Sequence, residues 1–124
     1  MKLKSLDHIH LMVDPGQIEH ARTFYIGLLG FVEIPKPESL KELGGFWATG
    51  GDSEIHIGLE VNAGRAKTSA HSAFSVEDMD GYENLLRQNG VELLDATPIE
   101  GRRRFYFRDP FGNLIEFLEY DPSE

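Results

Sequence analysis

From Leu6 to Asp14 the chain reads LDHIHLMVD, with apolar side chains on alternate positions. A period of two marks a strand, whose successive side chains point to opposite faces. Ile9, Leu11 and Val13 then form an ordinary core face, while His8, His10 and Met12 share the other. After Pro15 the period lengthens. Ile18, Ala21, Phe24, Tyr25 and Leu28 recur at helical spacing and predict a helix over about 16–29, ended by Gly30. A short extended piece follows at Val32–Ile34. Two longer strands, GGFWATG and SEIHIGLEV, are joined by a turn through Gly50, Gly51 and Asp52.

The same order then recurs. DHIHLMVDP (7–15) lies over AHSAFSVED (70–78), so that His8 falls on His71, Leu11 on Phe74 and Val13 on Val76. A second helix is predicted over about 78–89, with Met79, Tyr82, Leu85 and Leu86 on one side and Gly90 as its stop. Val91–Leu94 is the next extended piece, followed by RRRFYFR, a DPFGN turn and LIEFLEY. Gly30 and Gly90, Ile55 and Ile115, and His56 and Glu116 all stand 60 positions apart. Each half reads β-α-β-β-β, and a half of that size buries too little to be stable alone. The pattern therefore predicts an α+β fold of two tandem βαβββ modules, about 6–61 and 70–120. They are joined by a small polar linker, 62–69, within a single domain, 1–124. In that fold the helices cover one face of the strands, and the other face lines the inside of a curved sheet.

Composition narrows the function classes. The apolar fraction is 40%, with 8 Phe, 4 Tyr and 1 Trp, enough for a core, and 27% of residues are charged, close to the globular average. A net charge of -9 argues against nucleic acid and against an anionic membrane surface as partners. The absence of cysteine removes disulfides, thiolate metal sites and a cysteine nucleophile. MKLKSLDHIH carries no apolar core behind its lysines, and no apolar run nears the ~18 residues that span a bilayer, so a cytoplasmic location is expected. Neither a GxGxxG, a GxxxxGK[ST] nor a GxSxG pattern occurs.

Alternation assigns the chemistry. With Ile55 and Ile57 toward the helix, Glu54, His56, Gly58 and Glu60 take the inner face. With Phe74 toward the helix, His71 takes it, and with Ile115 and Phe117 toward the helix, Glu116 takes it. His8, His56, His71 and Glu116 thus occupy equivalent first and last strands of the two halves. Imidazole nitrogens and one carboxylate suit Zn, Ni, Mn, Co or Fe(II), and are wrong for a dedicated calcium site. His56 is either a fourth ligand or a group that supports the ligands and carries protons. His10 is expected to line the same face, and His20 to lie on the helix surface. Arg104, Tyr106 and Arg108 alternate onto one face of their strand, and aligning the hairpins sets Tyr106 on Phe46 and Phe107 on Trp47. His10, Phe46, Arg104, Tyr106 and Arg108 are therefore the candidate substrate-binding residues. Inward arginines in an acidic chain fit an anionic small molecule, although charges on an edge strand also guard against aggregation.

The paired units, the DHIHL and AHSAFSV strands, FYIGLLGF and RDPFGNLIE (108–116) resemble the vicinal-oxygen-chelate superfamily over nearly the whole chain, about 6–120. That superfamily includes glyoxalase I, extradiol dioxygenases, fosfomycin-resistance transferases and bleomycin-binding proteins. The resemblance implies a cup-shaped, eight-stranded mixed sheet holding a divalent metal through His8, His56, His71 and Glu116. The metal would chelate a substrate through adjacent oxygens. Glyoxalase I usually has a carboxylate where this chain has His56, which leaves Glu116 as the carboxylate able to act as catalytic base. The expected function is a small metal-dependent lyase, isomerase or group transferase acting on an oxygen-chelating, anionic small molecule. The alternatives are a metal-free sequestration protein of the bleomycin-resistance type and an Fe(II)-dependent dioxygenase. A homodimer is expected from the exposed sheet edges and from the resemblance.

Overall fold

The computed structural model describes residues 1–122. The chain divides into two compact units, Met1–Ala63 and Gly64–Glu124, and the boundary falls inside the polar segment read as a linker.

The first unit holds β1 (Ile9–Val13), α1 (Ile18–Arg22), β2 (Val32–Ile34), β3 (Phe46–Gly50) and β4 (Ser53–Leu59). Its sheet order is β1-β4-β3-β2: β1 runs parallel to β4, and the other pairs are antiparallel. Ile55, Ile57, Leu11 and Val13 are buried together, as their alternation requires, whereas Leu59 at the end of β4 emerges into solvent. The predicted helix is not uniform. After Arg22 it widens into a π turn over Thr23–Leu28, in which Leu29 N–H reaches Phe24 O at 3.0 Å. The Thr23 hydroxyl donates back to Glu19 O at the point where the widening begins. The extra residue in the turn lets two consecutive aromatics, Phe24 and Tyr25, both reach the core.

Before β3, the chain makes a 3-10 turn over Glu38–Leu43 and enters the sheet through Gly44 and Gly45. Gly45 is required on two counts. Its φ is +78°, and a Cβ there would sit 1.9 Å from the Ile57 carbonyl oxygen.

The second unit holds β5 (His71–Ser75), α2 (Met79–Gln88), β6 (Arg102–Arg108) and β7 (Leu114–Tyr120), with sheet order β5-β7-β6. The Asp78 side chain caps α2 by accepting from Gly81 N–H at 3.0 Å. Phe117 is the centre of this unit's core. Phe74, Tyr82, Phe105 and Phe107 all place their rings within 5.0–6.3 Å of it.

The α+β class and the mixed strands agree with the sequence reading, but the expected eighth strand does not form. Among the described residues there are seven strands, in sheets of four and three. Val91–Leu94 contributes one isolated bridge, Leu94 to Tyr106. Continuing that antiparallel register would set Pro98 opposite Arg102, and Pro98 has no N–H to donate. The chain instead turns at Ile99–Arg102, closed by Arg102 N–H to Ile99 O at 3.4 Å. Among the described residues no helix is long and apolar enough to cross a membrane.

Removing the Phe117 ring opens a cavity that four aromatic neighbours cannot close together. Phe117→Ala should therefore cost roughly 3–5 kcal/mol. The check is the midpoint of denaturant unfolding at unchanged m-value.

Candidate functional site

The two units repeat the pairing of their first and last strands and its register. In the first, β1 and β4 pair with His10 opposite His56; in the second, β5 and β7 pair with Ala73 opposite Glu116. His8 stands two residues before His10 and His71 two before Ala73, so each unit presents its two candidate donors in the same offset. Parallel pairing of a unit's first and last strands places them side by side on one face.

In the first unit the rings form a stack. Trp47 lies flat on His56 with centroids 3.7 Å apart and planes 2° apart, and His8 covers the opposite face of His56 at 3.8 Å. His56 Nε2 donates to Glu54 Oε2 at 2.7 Å, and His8 Nδ1 donates to Asp7 Oδ1 at 2.8 Å. Each imidazole thus has one nitrogen held by a carboxylate and the other free to act as a donor atom toward a ligand. His10 meets His56 edge-on at 6.4 Å. Gly58 makes its room: a Cβ at Gly58 would come within 2.4 Å of His10 Nε2. Desolvation, followed by the neighbouring His56 and His8, lowers the His10 pKa from its ordinary value of 6.5.

In the second unit the arrangement is polar. His71 Nδ1 donates to the Ser69 carbonyl at 3.1 Å, and His71 Nε2 lies 3.0 Å from Glu116 Oε1. With one ring nitrogen committed as donor to a carbonyl, the neutral imidazole presents a lone pair to the carboxylate. Two lone pairs at that distance need a cation between them, either a proton or a metal ion. Tyr106 sets its ring edge-on to His71 at 5.0 Å and accepts from Arg104 Nη1 at 2.8 Å. Arg104 Nη1 also reaches Glu116 Oε2 at 3.4 Å, and Arg104 Nε and Nη2 donate to Thr97 O at 3.2 and 2.6 Å. The Tyr106 hydroxyl is the main cause that raises the Arg104 pKa above its ordinary value, with Glu116 contributing less, so the guanidinium stays charged.

The predicted residues thus separate. His8 is brought to His56, and His71 to Glu116. Among the described residues no group of three or more His, Cys, Asp and Glu gathers as a metal cluster, so the donors stand as one pair in each unit. The pairs fit a divalent transition ion in donor type. Each histidine is also oriented through its second nitrogen by a carboxylate or carbonyl, as metal-binding histidines commonly are. Arg104 and Tyr106 share the face of Glu116, whereas Arg108 is turned onto the carbonyls of Arg65, Thr68 and Gly112 at 2.8–3.0 Å and ties the linker to the DPFGN turn. His20 lies on the helix surface beside Gln17.

One expectation is corrected. Phe46, read as a site residue, is 1% exposed and faces the core, under the Arg22 guanidinium. Its neighbour Trp47 takes the place on the histidine face. The cause is a turn one residue longer in the second hairpin: Trp47 pairs with His56, and Tyr106 pairs with Glu116, so these two are the true equivalents. The one-residue error hid Trp47, which cross-strand pairing reveals at once. Sequence reasoning also missed the carbonyl of Thr97, because a backbone oxygen leaves no mark in composition.

Residues 5–117 match the model of the Glyoxalase/Bleomycin resistance protein/Dioxygenase superfamily, and the chain belongs to that family. It is 30% identical to Glyoxylase I 4 of Arabidopsis thaliana, over 98% of this chain and 74% of that protein. Among solved structures, a glyoxalase family protein from Bacillus anthracis is 43% identical over 98% of both chains, with a TM-score of 0.88. FosX from Listeria monocytogenes, complexed with Mn(II) and sulfate, shares the fold at a TM-score of 0.77 and 22% identity, covering 97% of this chain and 93% of its own.

A histidine with a lowered pKa is neutral in the fold while its unfolded counterpart already takes up a proton. The stability it contributes is present above about pH 6.5 and is lost as pH falls below that value. In metal-free protein, His10→Asn should flatten the fall in melting temperature on acidification through that range. A parallel fall in both proteins would count against it.

Proposed function

We propose that this member of the family is a divalent-metal-dependent enzyme acting on a small anionic molecule that offers adjacent oxygens. His8, His56, His71 and Glu116 are its metal donors. The observation that carries the reading is the His71–Glu116 contact, an imidazole nitrogen 3.0 Å from a buried carboxylate oxygen with the ring's other nitrogen held at the Ser69 carbonyl. FosX, a protein of the same fold, is complexed with Mn(II), which supports a divalent metal in this reading.

When bound, the ion supplies Lewis-acid polarisation of the substrate oxygens. The protein's own groups do the rest. Glu116, the carboxylate of the set, is the group able to accept a proton from the substrate. Trp47 and His8 clamp the His56 ring between them and prevent it from turning. Lyase, isomerase and group-transfer reactions all fit these parts, and imidazole at position 56 favours them over glyoxalase I chemistry. The partner proposed is the small-molecule substrate alone, with a second copy of the chain completing a homodimer; sedimentation of the purified chain should give twice the mass of 14.0 kDa.

Full-length protein purified without an affinity tag should carry close to one divalent metal per chain by elemental analysis. His71→Ala and Glu116→Ala should each lower the content at least about tenfold, since each removes a donor rather than a supporting group. A chain that takes up neither Zn, Ni, Mn, Co nor Fe(II) when supplied overturns the enzyme reading and leaves ligand sequestration as the function.

A further inference from the structure

The metal reading makes Glu116 a ligand but does not say how many of its oxygens bind. Its surroundings do. The two oxygens are already shared out: Oε1 faces His71 Nε2 at 3.0 Å, and Oε2 faces Arg104 Nη1 at 3.4 Å. Both side chains lie almost out of water, with 8% of Glu116 and 11% of Arg104 exposed. Glu116 is buried and Arg104 half-buried, and the carboxylate left alone would be a buried, uncompensated charge.

Arg104 is itself fixed from a third direction. Its Nε and Nη2 both close on the carbonyl of Thr97, in the stretch between α2 and β6, while Nη1 donates to the Tyr106 hydroxyl. Tyr106 in turn sets its ring edge against His71. One cation, tied to the backbone, therefore touches one donor directly and the other through a phenol. Four of its five N–H groups go to these partners, which is a different use from gripping an anionic substrate.

We propose that Arg104 is a positioning residue that retains Glu116 Oε2, so that the carboxylate binds the metal through Oε1 alone while Tyr106 keeps His71 in line with it. The proposal rests on the metal reading above. A carboxylate released from Arg104 can turn about its last bond and offer both oxygens, which changes the coordination number of the ion.

The test is titration of Co(II) into metal-free, full-length protein, followed by visible absorption, whose intensity reports coordination number. Wild type, Arg104→Met, Arg104→Lys and Tyr106→Phe are compared, with Arg104→Met also made in a Glu116→Gln background. Arg104→Met should weaken Co(II) binding about 10- to 100-fold and alter the absorption band. Arg104→Lys should resemble Arg104→Met, because an ammonium cannot span Thr97 and Glu116 together. Tyr106→Phe, which removes only the hydroxyl, should show a smaller loss. In the Glu116→Gln background Arg104→Met should add nothing further.

Wild-type affinity and spectrum in Arg104→Met overturn the inference and leave the metal reading standing. So does an equal additional loss in the Glu116→Gln background, since the arginine would then act through the fold. Failure of the wild type to bind Co(II) overturns both. If Arg104→Met does not fold by circular dichroism, Tyr106→Phe decides: a wild-type spectrum and affinity there overturn the inference.

Discussion

Everything specific about this molecule depends on pairing the first strand of each unit, in parallel, with its last. That pairing crosses a helix and two strands in the first unit and a helix and one strand in the second, so it carries a loop-closure cost that short hairpins do not. What it provides is a fixed offset between residues far apart in sequence. His8, just before β1, is set beside His56 of β4, and His71 and Glu116 belong to the other pair, and in both the register is the same. The opposite face of the same strands supplies Ile55, Ile57, Ile115 and Phe117 to the cores. A slip of one residue would exchange the two faces entirely, so the packing of the core and the convergence of the polar groups are one constraint.

On this shared frame the two units have diverged in physics. The cross-strand partner of His56 is Trp47, and that of Glu116 is Tyr106. An indole held parallel to an imidazole gives a nearly dry, rigid stack, closed on its far side by His8. A phenol beside a carboxylate cannot stack in the same way, and its hydroxyl recruits Arg104 instead. One unit thus orients its donors by ring packing and the other by charge. This division lets one strand pairing, first with last, present unlike side chains in the two units.

Much of this was legible in the chain itself. The period-two runs, the helical runs and their glycine stops gave the order of elements, and the 60-residue recurrence gave the two units. Alternation alone set His8 on the face of His56, and His71 on the face of Glu116, because side-chain direction in a strand is a local property. Where the reading failed, the missing information was not local. Phe46 and Trp47 were exchanged because hairpin register depends on turn length, and the second turn is longer by one residue. The eighth strand was expected from its apolar residues, but strand formation needs a partner, and of Val91–Leu94 only Leu94 finds one, at Tyr106.

The sequence by itself therefore determined which residues are polar on an inward face and which are core, since backbone stereochemistry and hydrophobic burial act on neighbours along the chain. The tertiary structure decided how those residues are used. It turned Arg108 onto the linker's carbonyls, bound Arg104 to Thr97 and Glu116, and set Ser69 against one nitrogen of His71. Hydrogen-bond partners of this kind, many of them backbone oxygens, exist only once distant segments meet, because every residue carries the same carbonyl and only the fold selects among them.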